Sequence, residues 1–256
     1  MVTLDKQNKF YLRKQSGKFQ MDYDEIKNAF LNTDSLVEKI RSFCNSREDQ
    51  LLAQQTPVAI TNPQSLLLHI IPMTTFGHNI ANTVELKSDN YNILPIYSKG
   101  GITEKTNLDG IVRLPPNGIQ SYAQVFRDLT HEYADYFYVT PYGGRKEIFI
   151  KNIGDHVNDS IKRTFENLNR LDVKGPKAII LRLNGIKNIP LTAGGDPYYV
   201  QDMAFDRSRV LLPDVIEDGD SYKKVTALLM ESLANAAGFD SIPFIKDGEW
   251  TSSGPH

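Results

Sequence analysis

Leu66-Leu67-Leu68-His69-Ile70-Ile71 is an almost unbroken apolar run of strand length. A surface helix would interrupt such a run with polar residues every few positions, so the run predicts a central strand covered on both faces. Ala178-Ile179-Ile180-Leu181-Arg182-Leu183 predicts a second buried strand. Both require layers on either side of a sheet, and 256 residues with 40% hydrophobic content can supply them.

Between these runs, Tyr122–Arg127 and Tyr133–Val139 read as two antiparallel strands with a turn near Asp128 to Thr130. Their aromatics are expected to face a core on one side, leaving a polar face on the other. Asp109-Gly110 marks a further turn or bulge. Val210-Leu211-Leu212-Pro213 predicts a short strand closed by proline, and Gly194-Gly195-Asp196-Pro197 a loop. Residues 74–104 have no hydrophobic period and read as a functional loop or a poorly signalled element.

Three helices are signalled. Ser35 and Glu38 have the spacing of a capping box, followed to about Gln54 by a stripe through Leu36, Ile40, Phe43, Arg47 and Leu51, widened by Val37 and Cys44. Ile153, Val157, Ile161, Phe165, Leu168 and Leu171 define a second, ending before Gly175-Pro176. The third runs from near Asp220-Ser221 to Ala237. Val225, Leu228, Leu229, Ser232 and Ala236 form its expected inner face, and Gly238 its C-terminal cap. The fold class that follows is α/β (α+β): a mixed sheet with a central antiparallel hairpin, packed by three or four helices.

The N-terminus has a different character. Lys9–Lys14 alternates like a half-buried strand, turns through Ser16-Gly17-Lys18, and leads into a short helix from Met21 to Ile26. One strand and one short helix cannot bury a core, so residues 1–32 read as the end of an upstream domain, 33–56 as a connecting helix, and 57–256 as a mixed α/β domain. Over the first eighteen positions Lys6, Lys9, Arg13, Lys14 and Lys18 stand against Asp5 alone. The whole chain, at a formal net charge of −2, lacks the global basic field of a dedicated nucleic-acid binder. Lys9, Arg13, Lys14 and Lys18, with Arg145 and Lys146, are therefore the candidate nucleic-acid contacts, and a solvated strand edge explains the N-terminal ones equally well.

Cys44 is the single cysteine and excludes an intrachain disulfide; its register predicts a half-buried helix residue. No signal peptide and no membrane-length apolar run are present, so a cytoplasmic protein without membrane contact is expected.

Motifs for cofactors and catalysis are near-misses. His131-Glu132-Tyr133-Ala134-Asp135 has an aspartate where a zinc-protease helix needs its second histidine, and it lies in a strand pattern, where residues four apart are separated by ~13 Å. A solvated hairpin face is the expectation there, and no metal site. Ser221-Tyr222-Lys223-Lys224 matches an acyl-transfer spacing, but its serine is better used as a helix N-cap. Gly143-Gly144-Arg145-Lys146 reads as a surface turn, and Asp214–Asp220 as a solvated connection. His69 is expected to be a core imidazole hydrogen-bonded to a neighbour. Arg127 and Glu132 flank a hairpin turn and are expected to pair across it. His69, Arg127 and Glu132 are the candidate pocket should a hydrolase or nuclease site exist. No catalytic residue and no cofactor are assigned.

Taken in order, several short motifs carry a family resemblance. They are Phe10-Tyr11-Leu12-Arg13, Met21–Ile26, the Ser35–Phe43 helix, Leu68-His69-Ile70-Ile71-Pro72, Ser121–Arg127, Leu211-Leu212-Pro213 and Asn235–Phe239. The chain resembles the C-terminal half of bacterial proteins with an N-terminal Schlafen-like, Alba-type DNA-binding domain. In that family the N-terminal domain commonly ends in a strand like Phe10–Arg13, and the nucleic-acid-binding or nuclease residues would lie upstream of residue 1. The resemblance thus implies a non-catalytic accessory or sensing domain with a regulatory or defence-related role. Nucleic acid would be reached through the upstream domain, and a second copy or a partner protein is a further expected partner. Direct nucleic-acid binding and an unrecognised nuclease or hydrolase are the alternatives.

Overall fold

The computed structural model describes residues 2–4, 10–14, 17–20, 23–78, 93–96, 101–116, 120–136, 139–142, 145–193 and 203–252. The chain divides into two compact units, Met1–Ser46 and Arg47–His256. In the first, β1 (Val2–Leu4), β2 (Phe10–Lys14) and β3 (Gly17–Gln20) form an antiparallel sheet in that order. Its three strands replace the single strand expected, because Gly17 and Lys18 continue as β3 rather than staying in the turn.

Helix α1 (Tyr23–Leu52) begins in this unit and ends in the second. It fuses the two helical segments that the spacing separates. Residues 23–52 contain no glycine or proline to break the ladder. Ser35 and Glu38 consequently sit inside the helix, where all backbone N–H groups already have partners, and the capping box is not used. Cys44 is fully buried rather than half-buried.

The second unit is built on β4 (Ser65–Pro72), β5 (Thr103–Thr106), β6 (Gly110–Leu114), β7 (Ser121–Phe126), β8 (His131–Asp135), β9 (Val139–Tyr142), β10 (Arg145–Phe149), α2 (Ile150–Arg170), β11 (Lys177–Asn184), β12 (Leu191–Thr192), β13 (Arg209–Leu211), β14 (Val215–Glu217), α3 (Tyr222–Ala236), β15 (Ile245–Lys246) and β16 (Glu249–Trp250). The main sheet has the order β13-β11-β4-β8-β7-β6-β5, with β14 also on β11, and every pairing in it is antiparallel. The parallel component is small: β12 lies parallel to β10, which pairs antiparallel with β9. Among the described residues there are three helices, and none is long and apolar enough to cross a membrane.

The expected central strands are in place. β4 and β11 are buried along their whole length and lie side by side. Strand alternation sends Leu66, Leu68, Ile70, Leu181 and Leu183 into the larger core with α2 and α3. There Tyr133 closes the layer with a 2.7 Å hydrogen bond between its hydroxyl and Thr164 Oγ1 of α2. Leu67, Val112, Tyr122 and Ala134 face the other way and form a smaller core with Leu51 and Ile60.

Several expectations change in three dimensions. The β7–β8 hairpin is buried on both faces, because the end of α1 covers the face expected to be polar and solvated. The inner face of α3 uses Thr226, Met230, Leu233 and Ala234 beside Val225 and Leu229, whereas Leu228 points outward at 52% exposure and Ser232 and Ala236 are only half-buried. Part of the acidic run becomes β14 on the edge of β11. Ser221 occupies the N-cap position of α3 without a side-chain cap bond. Gly238 follows that helix with φ +98°, as a C-terminal glycine should. Asp109-Gly110 does lie in a turn, where Asn107 Oδ1 accepts both backbone N–H groups. Residues 79–92 and 97–100 of the long loop, Gly143-Gly144 and Gly194–Pro197 lie outside the described residues.

Trp250 packs so tightly on α2 that a Cβ at Gly154 would lie 2.1 Å from its ring, while its Nε1–H donates to Asp155 Oδ1 at 3.0 Å. Gly154→Ala is expected to lower stability by about 1–3 kcal/mol in urea denaturation, although alanine is the better helix former by up to about 1 kcal/mol.

Candidate functional site

β4, β8 and β7 run side by side, and their register sets His69 opposite Glu132 and Glu132 opposite Gln124. These side chains share the face that carries Leu67 and Tyr122, so three polar groups enter an otherwise apolar layer. All three are at most 1% exposed. The last turns of α1 supply what compensates them. Arg47 lies on the buried stripe of that helix, four residues before Leu51, and spans to Glu132 with a two-pronged fork: Nη2 to Oε1 at 2.6 Å and Nε to Oε2 at 2.8 Å.

The remaining acceptor positions of Glu132 are also filled. The Tyr122 hydroxyl donates to Oε1 at 2.8 Å, and His69 Nε2 lies 2.9 Å from Oε2. A carboxylate only accepts, so the Nε2 hydrogen of His69 points at it. Burial by itself would raise the Glu132 carboxyl; Arg47 and His69 outweigh burial and hold it down to about 2. For Tyr122, burial and the nearby Glu132 charge push the phenol well above its ordinary range. Arg47 gains a cation–π contact with Phe126, 5.2 Å from the ring centre, and a 2.5 Å bond from Nη1 to Gln50 Oε1.

The next residue of the helix enters a second cluster of opposite sense. Glu48 is 1% exposed and accepts from three donors: Arg182 Nη1 at 2.7 Å, Arg209 Nε at 2.8 Å and Arg209 Nη2 at 2.5 Å. Burial pushes its carboxyl up, and the two guanidinium groups more than reverse this, leaving it below the usual range.

The three candidate pocket residues divide. His69 and Glu132 meet, and the core-imidazole expectation for His69 holds. Arg127 does not pair with Glu132. Its Nε donates to Leu108 O at 3.1 Å, in a separate surface hollow of about 350 Å³ that includes Asp109 and Asp128. The reason is the turn geometry: Glu132 points into the sheet's buried face, where Arg47 reaches it first. His131, on the opposite face of β8, is fully buried with Nδ1–H donating to Leu129 O at 2.8 Å, and burial lowers it to about 4. The stretch His131–Asp135 is therefore interior strand and not a solvated hairpin face. Among the described residues no three His, Cys, Asp or Glu side chains converge as metal ligands.

Of the candidate nucleic-acid contacts, Lys9 lies outside the described residues. Arg13 and Lys18 are register partners across β2 and β3, and Lys14 pairs with Gly17. Arg145 pairs in register with Tyr142 on the β9–β10 hairpin; Lys146 is exposed, with Nζ donating to Gln64 Oε1 at 3.3 Å. Arg47, Glu48, Arg182 and Arg209 were not among the candidates. Two signals pointed to them: Arg47 holds a stripe position on an amphipathic helix, and Arg182 interrupts an apolar strand where a charge must be paired.

Two consequences are measurable. Glu132→Gln leaves Arg47 buried opposite a neutral amide and is expected to cost about 3–5 kcal/mol in urea denaturation at pH 7. The pH dependence has one sign, because both His131 and Glu132 bind protons less readily folded than unfolded. Stability from Glu132 is present above its unfolded pKa of about 4.5 and lost as pH falls towards about 2. For His131 the loss runs from about 6.5 down to about 4. Each contributes on the order of 3 kcal/mol, and in Glu132→Gln the loss below about pH 4.5 should be blunted.

No family model, curated protein or solved structure matches the chain.

Proposed function

We propose that the chain is a non-catalytic accessory or sensing domain of a bacterial Schlafen-like, Alba-type nucleic-acid-related protein, cytoplasmic, with a regulatory or defence-related role. The nucleic-acid context rests on the order of short motifs from Phe10-Tyr11-Leu12-Arg13 to Asn235–Phe239. The observation that carries the non-catalytic half is the state of Glu132. Its carboxylate is buried, and Arg47, Tyr122 and His69 occupy its oxygens, so it has no face left for a substrate or an attacking water. An acid or base needs a proton path to a reacting group, and this cluster has the saturation of a structural network instead.

Direct nucleic-acid binding is the second reading. The observation favouring it is the register of β2 and β3, which sets Arg13 against Lys18. Two basic residues at paired register positions are the kind of local basic patch that phosphate contacts require.

Retardation of labelled duplex DNA, single-stranded DNA and RNA by the full chain, repeated across salt, separates these readings. The accessory reading expects neither cleavage nor salt-steep binding. Binding whose affinity falls with a log–log salt slope of roughly −0.9 per phosphate contact, and which Arg13→Glu with Lys18→Glu abolishes, establishes the direct binder. Cleavage of any of these nucleic acids that follows the folded chain through purification overturns the non-catalytic assignment.

A further inference from the structure

The sequence holds three aspartyl-glycine pairs, Asp109-Gly110, Asp218-Gly219 and Asp247-Gly248. In such a pair the glycine nitrogen can attack the aspartate side chain, because glycine has no Cβ to obstruct the ring that forms. As bare dipeptides the three are equivalent. The fold makes them unequal.

Two of the three nitrogens are held. Gly110 N–H donates to Asn107 Oδ1 at 2.8 Å, and Gly219 N–H donates to Glu217 Oε1 at 2.7 Å. Each bond fixes the peptide plane that would have to turn towards the aspartate side chain. Gly110 is also enclosed. It is buried at the start of β6, paired with Phe126, and a Cβ there would lie 2.0 Å from Val125 O of β7.

Gly248 differs on each count. Asp247 and Gly248 are exposed and form the two-residue loop between β15 and β16, with Lys246 opposite Glu249. Among the described residues Gly248 N–H donates to no other group. Beyond its chain neighbours, no atom lies within 4 Å of the place a Cβ would take. Asp247 has φ +54° and Gly248 φ +73°, as a tight turn between twisted antiparallel strands requires. That left-handed conformation is costlier for Asp247 than for glycine. The strands that hold it are two residues long and form a sheet of their own, so the loop opens readily.

We propose that Asp247-Gly248 is a site of spontaneous isoaspartate formation in the folded chain, and that Asp109 and Asp218 are spared. Gly248 N attacks Asp247 Cγ. The N–Cγ bond forms, and one carboxyl oxygen leaves as water, taking the amide hydrogen and the carboxyl proton. Water then opens the cyclic imide. Cleavage between the nitrogen and Cγ restores aspartate; cleavage between the nitrogen and the Asp247 carbonyl carbon leaves Gly248 joined through the side chain. The atoms balance without an oxidant or a co-reactant, and the mass is unchanged. The loop gains one backbone carbon, and the free α-carboxylate it exposes is the group that isoaspartyl methyltransferases methylate. The inference does not depend on the accessory reading.

The test is prolonged incubation of the full chain in mildly acidic buffer, followed by peptide mapping with electron-transfer fragmentation, which distinguishes isoaspartate from aspartate at each position. Isoaspartate should accumulate at Asp247 severalfold faster than at Asp218 and about tenfold or more faster than at Asp109, the penalty of first opening a held peptide. In urea the three rates should converge. Asp247→Glu, whose side chain must close a larger ring, should abolish the product at that position and leave Asp109 and Asp218 unchanged. Glu217→Ala frees Gly219 N–H and should raise the rate at Asp218 severalfold. Mapping of the unsubstituted chain decides even where a variant fails to fold. Equal rates at the three sites in the folded chain, a faster rate at Asp109 or Asp218, or no isoaspartate at Asp247 while the urea-unfolded chain accumulates it overturns the proposal, as does an Asp218 rate that Glu217→Ala leaves unmoved.

Discussion

A charge inside an apolar layer must be met by an opposite charge at hydrogen-bonding distance, and this chain meets that demand twice from adjacent residues of one helix. Arg47 answers the buried Glu132, and Glu48 answers Arg182 and Arg209. Removing either partner alone strands a charge with an effective penalty of several kcal/mol. Two neighbouring positions of opposite sign cannot exchange places, so rotating or sliding the end of α1 breaks both clusters together. The helix end has one register on the sheet. Replacement of each whole cluster by apolar residues is expected to be close to neutral, which makes their role specification more than net stabilisation.

That arrangement also encloses the side chains that the sequence makes conspicuous. The strands that look most chemical in the sequence, with histidines, a glutamate and tyrosines in close succession, are buried almost throughout. Their polar groups satisfy one another. Among the described residues, surface hollows lie at the perimeter of the sheet, one between β13 and α3 and one lined by Arg127.

Much of the framework is legible from residue patterns because local rules suffice for it. The apolar runs at Leu66 and Ala178 became the two fully buried neighbouring strands, and the turn at Asp128–Thr130 separates β7 from β8. The stripe from Ile153 became α2, and Gly238 follows α3. What was not legible depends on tertiary cover. Whether the polar face of the β7–β8 hairpin meets water or a helix cannot be read from its alternation, and here the end of α1 covers it. Ser35 and Glu38 have a cap spacing, but a cap forms only where the helix begins, and nothing in residues 23–34 interrupts it. For the site, His69 was placed correctly by its apolar neighbours. Two of the partners of Glu132, His69 and Arg47, lie 63 and 85 residues away in the chain, beyond any local pattern.

The direct test of the structural assignment is a double-mutant cycle on Arg47 and Glu132, comparing Arg47→Met, Glu132→Leu and both together by urea denaturation at pH 7. If the pair is a structural lock, Arg47→Met will cost less in the Glu132→Leu background than in the wild type, by at least about 2 kcal/mol. An equal cost in both backgrounds would mean that the two residues do not depend on each other, and the account built on their pairing would be wrong.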